Sequence, residues 1–117
     1  MNNKQTTIKE EFSMSGVGLH TGENVTLTFK PAPENHGYKF QRVDLPNKPI
    51  IEADVDYVVD LSRGTTLGKG DARVGTIEHV MAALAGLEID NVLVETNASE
   101  MPIMDGSAQE FVDALMK

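Results

Sequence analysis

Hydrophobic and polar residues alternate with a period of two along much of the first half of the chain. Residues 25–30 (VTLTFK) alternate strictly, and residues 38–42 (YKFQR) resume the pattern after the PAPENHG break. Because successive side chains of a strand point to opposite faces of a sheet, this pattern is typical of half-buried antiparallel strands. We also predict a strand at 6–12, ending at the loop sequence SMSGVGLHTG, and a short extended run at 50–59.

The pattern changes to helical periodicity at residues 76–86 (TIEHVMAALAG). Thr76 is a residue type that caps helix N-termini, and Gly86 is a type that follows helix C-termini. The sequence therefore predicts a helix between these two residues. It is the first strong helix signal along the chain.

The remaining elements complete an α+β pattern. Residues 64–73 predict a hairpin around Gly68–Asp71, residues 91–96 (NVLVET) predict a strand, and the capping-box spacing of Ser107 and Glu110 predicts a final helix. Strands come early and helices late, as in α+β folds. We therefore predict a single domain over the whole chain, a two-layer sandwich in which a mixed, mostly antiparallel sheet carries two helices on one face.

The first helix has two different faces. One sector, which we expect to contact the domain's own sheet, holds Ile77, Val80, Met81, Leu84 and Leu87. The other side holds Glu78, His79, Ala82 and Ala83. A helix that is apolar on one face and lined with alanine on the other is typically covered on both sides. We therefore expect another helix or a substrate wall to pack against the alanine face.

Composition and charge narrow the classes of function. The 117 residues carry a formal net charge of −8, and the ten Lys and Arg residues are scattered, so we expect no nucleic-acid binding. There is no cysteine, which leaves His and carboxylates as ligands for any metal and favours a reducing, cytoplasmic setting. No run of about 18 apolar residues occurs, so we expect a soluble protein without a membrane span.

Glu78 and His79 lie in the first turn of the predicted helix, where the helix dipole favours negative charge. That field keeps His79 in the neutral form that binds metals, and it holds Glu78 as a carboxylate that can take a proton from a metal-bound water. A structural explanation competes, because the dipole alone favours Glu here and a first-turn His often only hydrogen-bonds nearby. Since the HExxH spacing is absent, these two residues alone favour the structural explanation.

Other candidate residues have open interpretations. His20 lies in GVGLHTG, whose glycines either let a backbone approach a ligand or only shape a tight turn, and the two explanations carry equal weight. This loop does not match a phosphate-binding loop, because the GKS/T ending is absent. His36 lies in the turn sequence PENHG and is expected to be solvated. Asp105 in PIMDGSA is more simply explained as a turn residue before a helix than as a functional acid.

Four linked motifs point to one family: GVGLHTG at 16–22, FKPAPENHG at 29–37, TIEHVMAALAGLEIDN at 76–91 and EMPIMDGSA at 100–108. In order and spacing they closely resemble the N-terminal half of the UDP-3-O-acyl-N-acetylglucosamine deacetylases of lipid A biosynthesis. The resemblance covers essentially the whole chain. It implies a zinc hydrolase that removes the N-acetyl group from an acylated nucleotide-sugar, built from two similar α+β domains whose helices face each other.

The resemblance also implies residue roles. Glu78 matches the general base and His79 one of three protein zinc ligands, while Leu19 and His20 match a loop near the active site and are expected to line the substrate pocket. Ser-Arg-Gly at 62–64 departs from the bulkier apolar residues of some relatives. The other zinc ligands, a second catalytic His, a catalytic Lys and most of the acyl-chain tunnel are implied to belong to a C-terminal domain. We therefore expect a truncated, folded and inactive chain with an incomplete zinc site.

The implied partners are UDP-3-O-acyl-N-acetylglucosamine and the C-terminal domain of the same protein. In some bacteria a dehydratase of fatty-acid synthesis is fused downstream. Two alternatives stay open. One is a non-catalytic α+β binding module of the kind found in RNA-binding proteins. The scattered cations of this chain argue against RNA binding. The other is a structural half that dimerises through its alanine face.

Overall fold

The computed structural model describes residues 4–18, 21–61, 64–102 and 109–116. The elements in chain order are β1 Phe12–Val17, β2 Asn24–Pro31, β3 Tyr38–Arg42, β4 Ile50–Glu52, a 3-10 turn Val55–Tyr57, β5 Val58–Asp60, β6 Thr66–Lys69, β7 Ala72–Val74, α1 Glu78–Gly86, β8 Val92–Thr96 and α2 Gln109–Leu115. Among the described residues, no helix is both long and apolar enough to cross a membrane.

The larger sheet has five strands in the order β1-β2-β8-β3-β4. Neighbouring strands are antiparallel except β3 and β8, which run parallel. The alternation predicted for residues 25–30 is confirmed, because Val25, Leu27 and Phe29 are buried while Thr26 is exposed. The predicted fold class, α+β with a mixed and mostly antiparallel sheet, is also confirmed.

The first strand lies later in the chain than predicted. The prediction of a strand over 6–12 is wrong, because β1 runs from Phe12 to Val17, through residues predicted as a loop, and pairs with β2 along its whole length. The outward-facing Ser13 and Ser15 share hydroxyl–hydroxyl hydrogen bonds with β2, at 2.8 Å to Thr28 and 3.1 Å to Thr26. These cross-strand pairs stabilise the outer face of an edge strand whose Phe12 and Met14 pack against the core.

A second sheet of three antiparallel strands, β5-β6-β7, was not predicted as a separate unit. The predicted hairpin is confirmed as β6 and β7, joined at Gly70 and Asp71. The continuous extended run predicted at 50–59 is wrong, because β4 ends at Glu52 and a 3-10 turn follows. Asp54 initiates that turn through its side chain, whose Oδ1 accepts the backbone N–H of Asp56 at 3.0 Å.

One buried cluster joins both sheets and both helices. Phe29 and Phe40 come from the large sheet, Leu67 from the small sheet, Leu84 from α1 and Phe111 from α2, and each is at most 1% exposed. Burying side chains of this size stabilises a fold by about 1.5–3 kcal/mol each. The two helices contact each other, and α2 confirms the predicted final helix. The predicted cap Ser107 lies outside the described residues.

Helix α1 begins differently from the prediction. Thr76 does not cap it, because its backbone has a φ of 59° and Ile77 occupies the N-cap position without a side-chain cap. Thr65, which directly precedes β6, holds this end instead. Its carbonyl accepts the N–H of Ile77 at 3.3 Å, and its own N–H donates to the Glu78 carboxylate at 2.9 Å. A long-range backbone contact therefore replaces the expected local cap.

Helix α1 ends in a left-handed turn at Glu88 rather than at Gly86. Gly86 is still helical, and Glu88 has a φ of 59°. The N–H of Glu88 donates to the carbonyl of Ala85 and the N–H of Ile89 donates to the carbonyl of Leu84, both at 3.0 Å. These two bonds form a Schellman motif, in which the left-handed position is usually a glycine.

Candidate active site

A cleft of about 500 Å³ lies between helix α1 and the small sheet. Helix α1 contributes Glu78, Met81, Ala82 and Ala85 to its lining, and the facing wall includes Val58 and Leu67. The lining is mainly apolar, with Glu78 and Asp54 as its charged side chains. A mainly apolar cleft with a few polar groups is typical of a small-molecule binding site.

Glu78 is fixed against the backbone at the edge of this cleft. Its Oε1 accepts the N–H of Thr65 at 2.9 Å, and the side chain is half-buried. Gly64 lies directly beside the same carboxylate, because a Cβ on that residue would be 2.5 Å from Glu78 Oε2. A carboxylate has about four lone-pair positions, so the bond from Thr65 orients Glu78 and, counting the described residues, leaves capacity to accept a proton.

His79 follows Glu78 on the helix and is also half-buried. Since the helix turns by about 100° per residue, Ala82 lies between these two side chains on the helix circumference. The cleft lining found for the described residues includes Glu78 but not His79. The structure therefore places both residues beside one exposed alanine and only the carboxylate on the cleft wall.

The alanine face is partly different from the prediction. Ala82 is exposed as expected, but Ala83 is completely buried in the domain's own core. Ala85 takes its place on the exposed side and lines the cleft. Glu78, Ala82 and Ala85 are spaced i, i+4 and i+7, which is the helical spacing that could have identified Ala85 from the sequence.

Tyr38 is a cleft residue that sequence reasoning identified only as a strand position. It belongs to β3, and its hydroxyl donates to the carbonyl of Ile89. Burial, followed by the nearby Asp90 carboxylate, raises the pKa of Tyr38 above its ordinary value of 10.0. The neutral phenol therefore remains a hydrogen-bond donor in the lining of the cleft.

The remaining candidates divide into two groups. Leu19, His20 and Asp105 lie outside the described residues. His36 is half-buried rather than fully solvated, and its Nδ1 lies 3.0 Å from the carbonyl oxygen of Gly37. It lies in a turn closed by the hydrogen bond from its N–H to the Pro33 carbonyl, and it does not line the cleft beside helix α1.

The described residues hold no ready-made metal centre. Within residues 4–18, 21–61, 64–102 and 109–116, no three His, Asp or Glu side chains are close enough together to hold a metal ion. Catalytic zinc sites use three protein ligands and keep one position open. The described residues alone therefore do not supply the three ligands of a catalytic zinc site.

Comparison with known proteins gives consistent matches along the whole chain. Residues 5–117 match the family model described as LpxC, UDP-3-O-acyl N-acetylglycosamine deacetylase. The chain is 54% identical over 112 residues to the bifunctional enzyme LpxC/FabZ of Bacteroides thetaiotaomicron, a match that covers 96% of this chain and 24% of that protein.

Two relatives that are named only as deacetylases show similar sequence identity and coverage. The UDP-3-O-acyl-N-acetylglucosamine deacetylase of Methylococcus capsulatus is 54% identical over 93% of this chain and 36% of its own length. That of Myxococcus xanthus is 55% identical over 92% of this chain and 34% of its own length. The chain thus spans between about a quarter and about a third of these relatives.

Proposed function

Because the chain belongs to the family of UDP-3-O-acyl-N-acetylglucosamine deacetylases, we propose that it supplies the general base and one zinc ligand of a zinc-dependent amide hydrolase. The proposed reaction removes the N-acetyl group from UDP-3-O-acyl-N-acetylglucosamine in lipid A biosynthesis. The relatives from Methylococcus capsulatus and Myxococcus xanthus are named for this deacetylation, and they match at least 92% of the length of the chain.

The observation that carries this proposal is the position of Glu78. Its carboxylate stands in the first turn of α1, on the wall of an apolar cleft, with Oε1 held by the Thr65 N–H at 2.9 Å. The positive end of the helix dipole favours the ionised carboxylate. In the proposed mechanism Glu78 takes a proton from the water that attacks the acetyl carbonyl.

His79 is the proposed zinc ligand of this chain. A neutral imidazole is the form that binds metals, and a helix N-terminus favours it over the imidazolium. A zinc ion bound there would polarise the acetamide carbonyl and increase the acidity of a bound water. A single His fits as one of three ligands, so we propose that the others come from a C-terminal domain.

The exposed side of α1 is the proposed contact for that domain. Ala82 and Ala85 are exposed, and their small side chains allow another helix to approach closely. The zinc site, and with it the deacetylation, would then be complete only when both halves are together. We further propose that Leu19 and His20 belong to the substrate pocket.

We also propose a cytoplasmic setting, which the lack of cysteine supports. The relative from Bacteroides thetaiotaomicron is named as a bifunctional LpxC/FabZ enzyme. We propose that the protein to which this chain belongs could carry a similar FabZ fusion.

The test uses Glu78→Ala and Glu78→Gln in the complete deacetylase, meaning this chain together with the remainder of the protein. We expect deacetylation to fall by about 10²–10⁴-fold, the usual contribution of a general base, while zinc content stays unchanged. Glu88→Gln, an exposed carboxylate beyond the other end of the same helix, is the matched control and should keep full activity. Unchanged turnover in both Glu78 variants would contradict the assignment of the base.

A further inference from the structure

Arg42 joins the two sheets through its buried guanidinium. It is the last residue of β3, in the large sheet, and is 8% exposed. Its Nη1 donates to the backbone carbonyl of Arg73, in β7 of the small sheet, at 2.9 Å. Its Nε and Nη2 donate to the Asp44 carboxylate at 2.9 and 2.7 Å. Arg42 therefore connects a strand of the large sheet directly to a strand of the small sheet.

The planar fork of Arg42 lets one side chain hold both partners. A buried guanidinium is costly unless its N–H groups are paired. The Asp44 carboxylate neutralises its charge, and the Arg73 carbonyl pairs a third N–H. A Lys ammonium is a compact point charge and lacks this fixed geometry. The position of β7 relative to β3 therefore depends on an arginine at position 42.

The β6–β7 hairpin carries this restraint to the candidate base. Its two strands pair along their length, and the Arg73 side chain closes their turn by donating to the carbonyls of Gly70 and Ala72 at 2.7 and 2.9 Å. Thr65 directly precedes β6, and its N–H donates to the Glu78 carboxylate at 2.9 Å. The hairpin is therefore a hydrogen-bonded connection from the Arg73 carbonyl to the N–H that orients Glu78.

Helix α1 is held separately from the hairpin. Val80 and Leu84 are fully buried and anchor the helix in the core. The backbone of Gly75, three residues before Glu78, is held by hydrogen bonds of 2.7 and 3.0 Å to the segment 99–101. A shift of the hairpin against the large sheet would therefore move it relative to the carboxylate instead of carrying both together.

We propose that Arg42 is a positioning residue of the deacetylase, which fixes the β6–β7 hairpin against the large sheet so that the Thr65 N–H stays on the Glu78 carboxylate. The inference rests on the proposed function, since it assigns Arg42 a part in orienting the base of that same site. Arg42 is not among the described residues that line the cleft, so it acts through Thr65.

The first test measures amide hydrogen exchange in this chain by NMR. The reference is the Val94 amide, which lies in the central strand β8 and reports global stability. Arg42→Met removes the guanidinium and keeps an unbranched stem, and we expect the Thr65 amide to exchange at least about fivefold faster relative to Val94. Arg42→Lys keeps one cationic donor without the fork and should give a smaller increase.

Asp44→Asn is the matched control for this measurement. It weakens the ion pair but keeps one oxygen acceptor for the guanidinium, so the bond from Arg42 to the Arg73 carbonyl should survive. We expect it to lower the stability of the chain while Thr65 exchange relative to Val94 rises by less than about twofold. An increase as large as that in Arg42→Met would overturn the inference, because it would assign the effect to the ion pair.

The second test is a double-mutant cycle between Arg42 and Glu78 in the complete deacetylase, under conditions where all variants are folded. Arg42→Met should lower kcat by about tenfold, because the base is displaced. In the Glu78→Gln background the same change should lower kcat by less than about twofold, since the base that it orients is already removed. A residue that only stabilises the fold would give the same factor in both backgrounds.

Two further results would overturn the inference: wild-type Thr65 exchange relative to Val94 in both Arg42 variants, or an equal loss of kcat in both backgrounds. Full turnover in Glu78→Gln would instead refute the proposed function. The exchange measurement does not depend on turnover, so it separates the two failures.

Discussion

Thr65 and Glu78 are joined by a hydrogen bond of 2.9 Å from the backbone N–H of the first to the carboxylate of the second. Thr65 also accepts the N–H of Ile77 through its carbonyl. These two bonds connect the residue before β6 to the start of helix α1. The orientation of the proposed base therefore depends on backbone atoms outside its own helix.

The first prediction concerns Gly64, whose missing side chain makes room for that carboxylate. Its φ of 93° is a conformation that other residues rarely adopt, and a Cβ would be 2.5 Å from Glu78 Oε2. Gly64→Ala should therefore destabilise the fold by more than the roughly 1–2 kcal/mol expected from a left-handed residue alone. Urea unfolding measures this, and the carbonyl-carbon NMR shift of the Glu78 side chain reports its displacement.

Gly70→Ala is the matched control for this prediction. Gly70 also has a positive φ, of 60°, but nothing lies within 4 Å of the position where its Cβ would stand. The difference between the two variants isolates the contact with Glu78. Equal losses of stability, with an unchanged Glu78 signal, would show that Gly64 is needed only for its backbone conformation.

The second prediction concerns the end of helix α1. Glu88 holds the left-handed position of the Schellman motif, at a φ of 59°. Its side chain is exposed, so a glycine there relieves backbone strain without removing buried contacts. Glu88→Gly should raise the free energy of unfolding by up to about 1 kcal/mol. Glu88→Ala keeps the strain and should give no such gain, which thermal unfolding of the three proteins can test.

The elements that sequence reasoning predicted correctly are those whose side chains carry a periodic pattern. The alternation in β2 and β3 and the apolar sector of α1 follow directly from which faces are buried, because Val25, Leu27, Val80 and Leu84 all lie in the core. The elements predicted wrongly have local causes. Residues 12–15 (FSMS) alternate like a strand, but residues 13–15 were predicted as part of a loop, and the hydrogen bond from the Asp56 N–H to the Asp54 side chain turns an otherwise extended run.

The candidate site shows the same division. The helical period was enough to predict that Glu78 and Ala82 share a face. It was not enough to predict that Ala83 is buried, since an alanine at the border of two faces carries no signal of its own. The contact of Glu78 with Thr65 was also beyond prediction, because a backbone N–H leaves no trace in the sequence.

The third prediction concerns the ion pair that joins β3 to the turn after it. Arg42 is 8% exposed, and its guanidinium donates two hydrogen bonds to Asp44, at 2.9 and 2.7 Å, and one to the Arg73 carbonyl at 2.9 Å. Hydrogen bonds from Arg42 lower the pKa of Asp44 below its ordinary value of 3.8. Such a group stabilises the fold above its unfolded pKa and loses that contribution as pH falls through the lower folded pKa.

Asp44→Asn should therefore be less stable than the wild-type chain near neutral pH, and the difference should shrink as pH falls below about 4. Urea unfolding at pH 6 and at pH 3 measures both differences. Asp71→Asn, which removes an exposed carboxylate in the hairpin turn, is the control for the loss of a surface charge. A stability difference between wild type and Asp44→Asn that stays constant across this range would contradict the assignment to Asp44.

The fourth prediction contrasts two adjacent alanines of α1. Ala83 is fully buried, so Ala83→Leu should overpack the core and destabilise this chain by about 1–3 kcal/mol. Ala82 is exposed, and Ala82→Leu should change stability by no more than about 0.5 kcal/mol. In the complete deacetylase, under conditions where both variants are folded, Ala82→Leu should lower activity more than Ala83→Leu does. There Ala82 would be covered by the second domain, and a larger side chain would separate the two halves of the zinc site.

Deacetylation assays and light scattering of the two variants distinguish the possible partners of this surface. Loss of activity in Ala82→Leu, with this chain monomeric at all concentrations, supports contact with a second domain. Concentration-dependent dimers of the wild-type chain that Ala82→Leu abolishes would instead support self-association through the same face. Full activity in Ala82→Leu would contradict the proposal that the exposed alanines of α1 pack against another domain, since a close helix contact leaves no room for the added atoms.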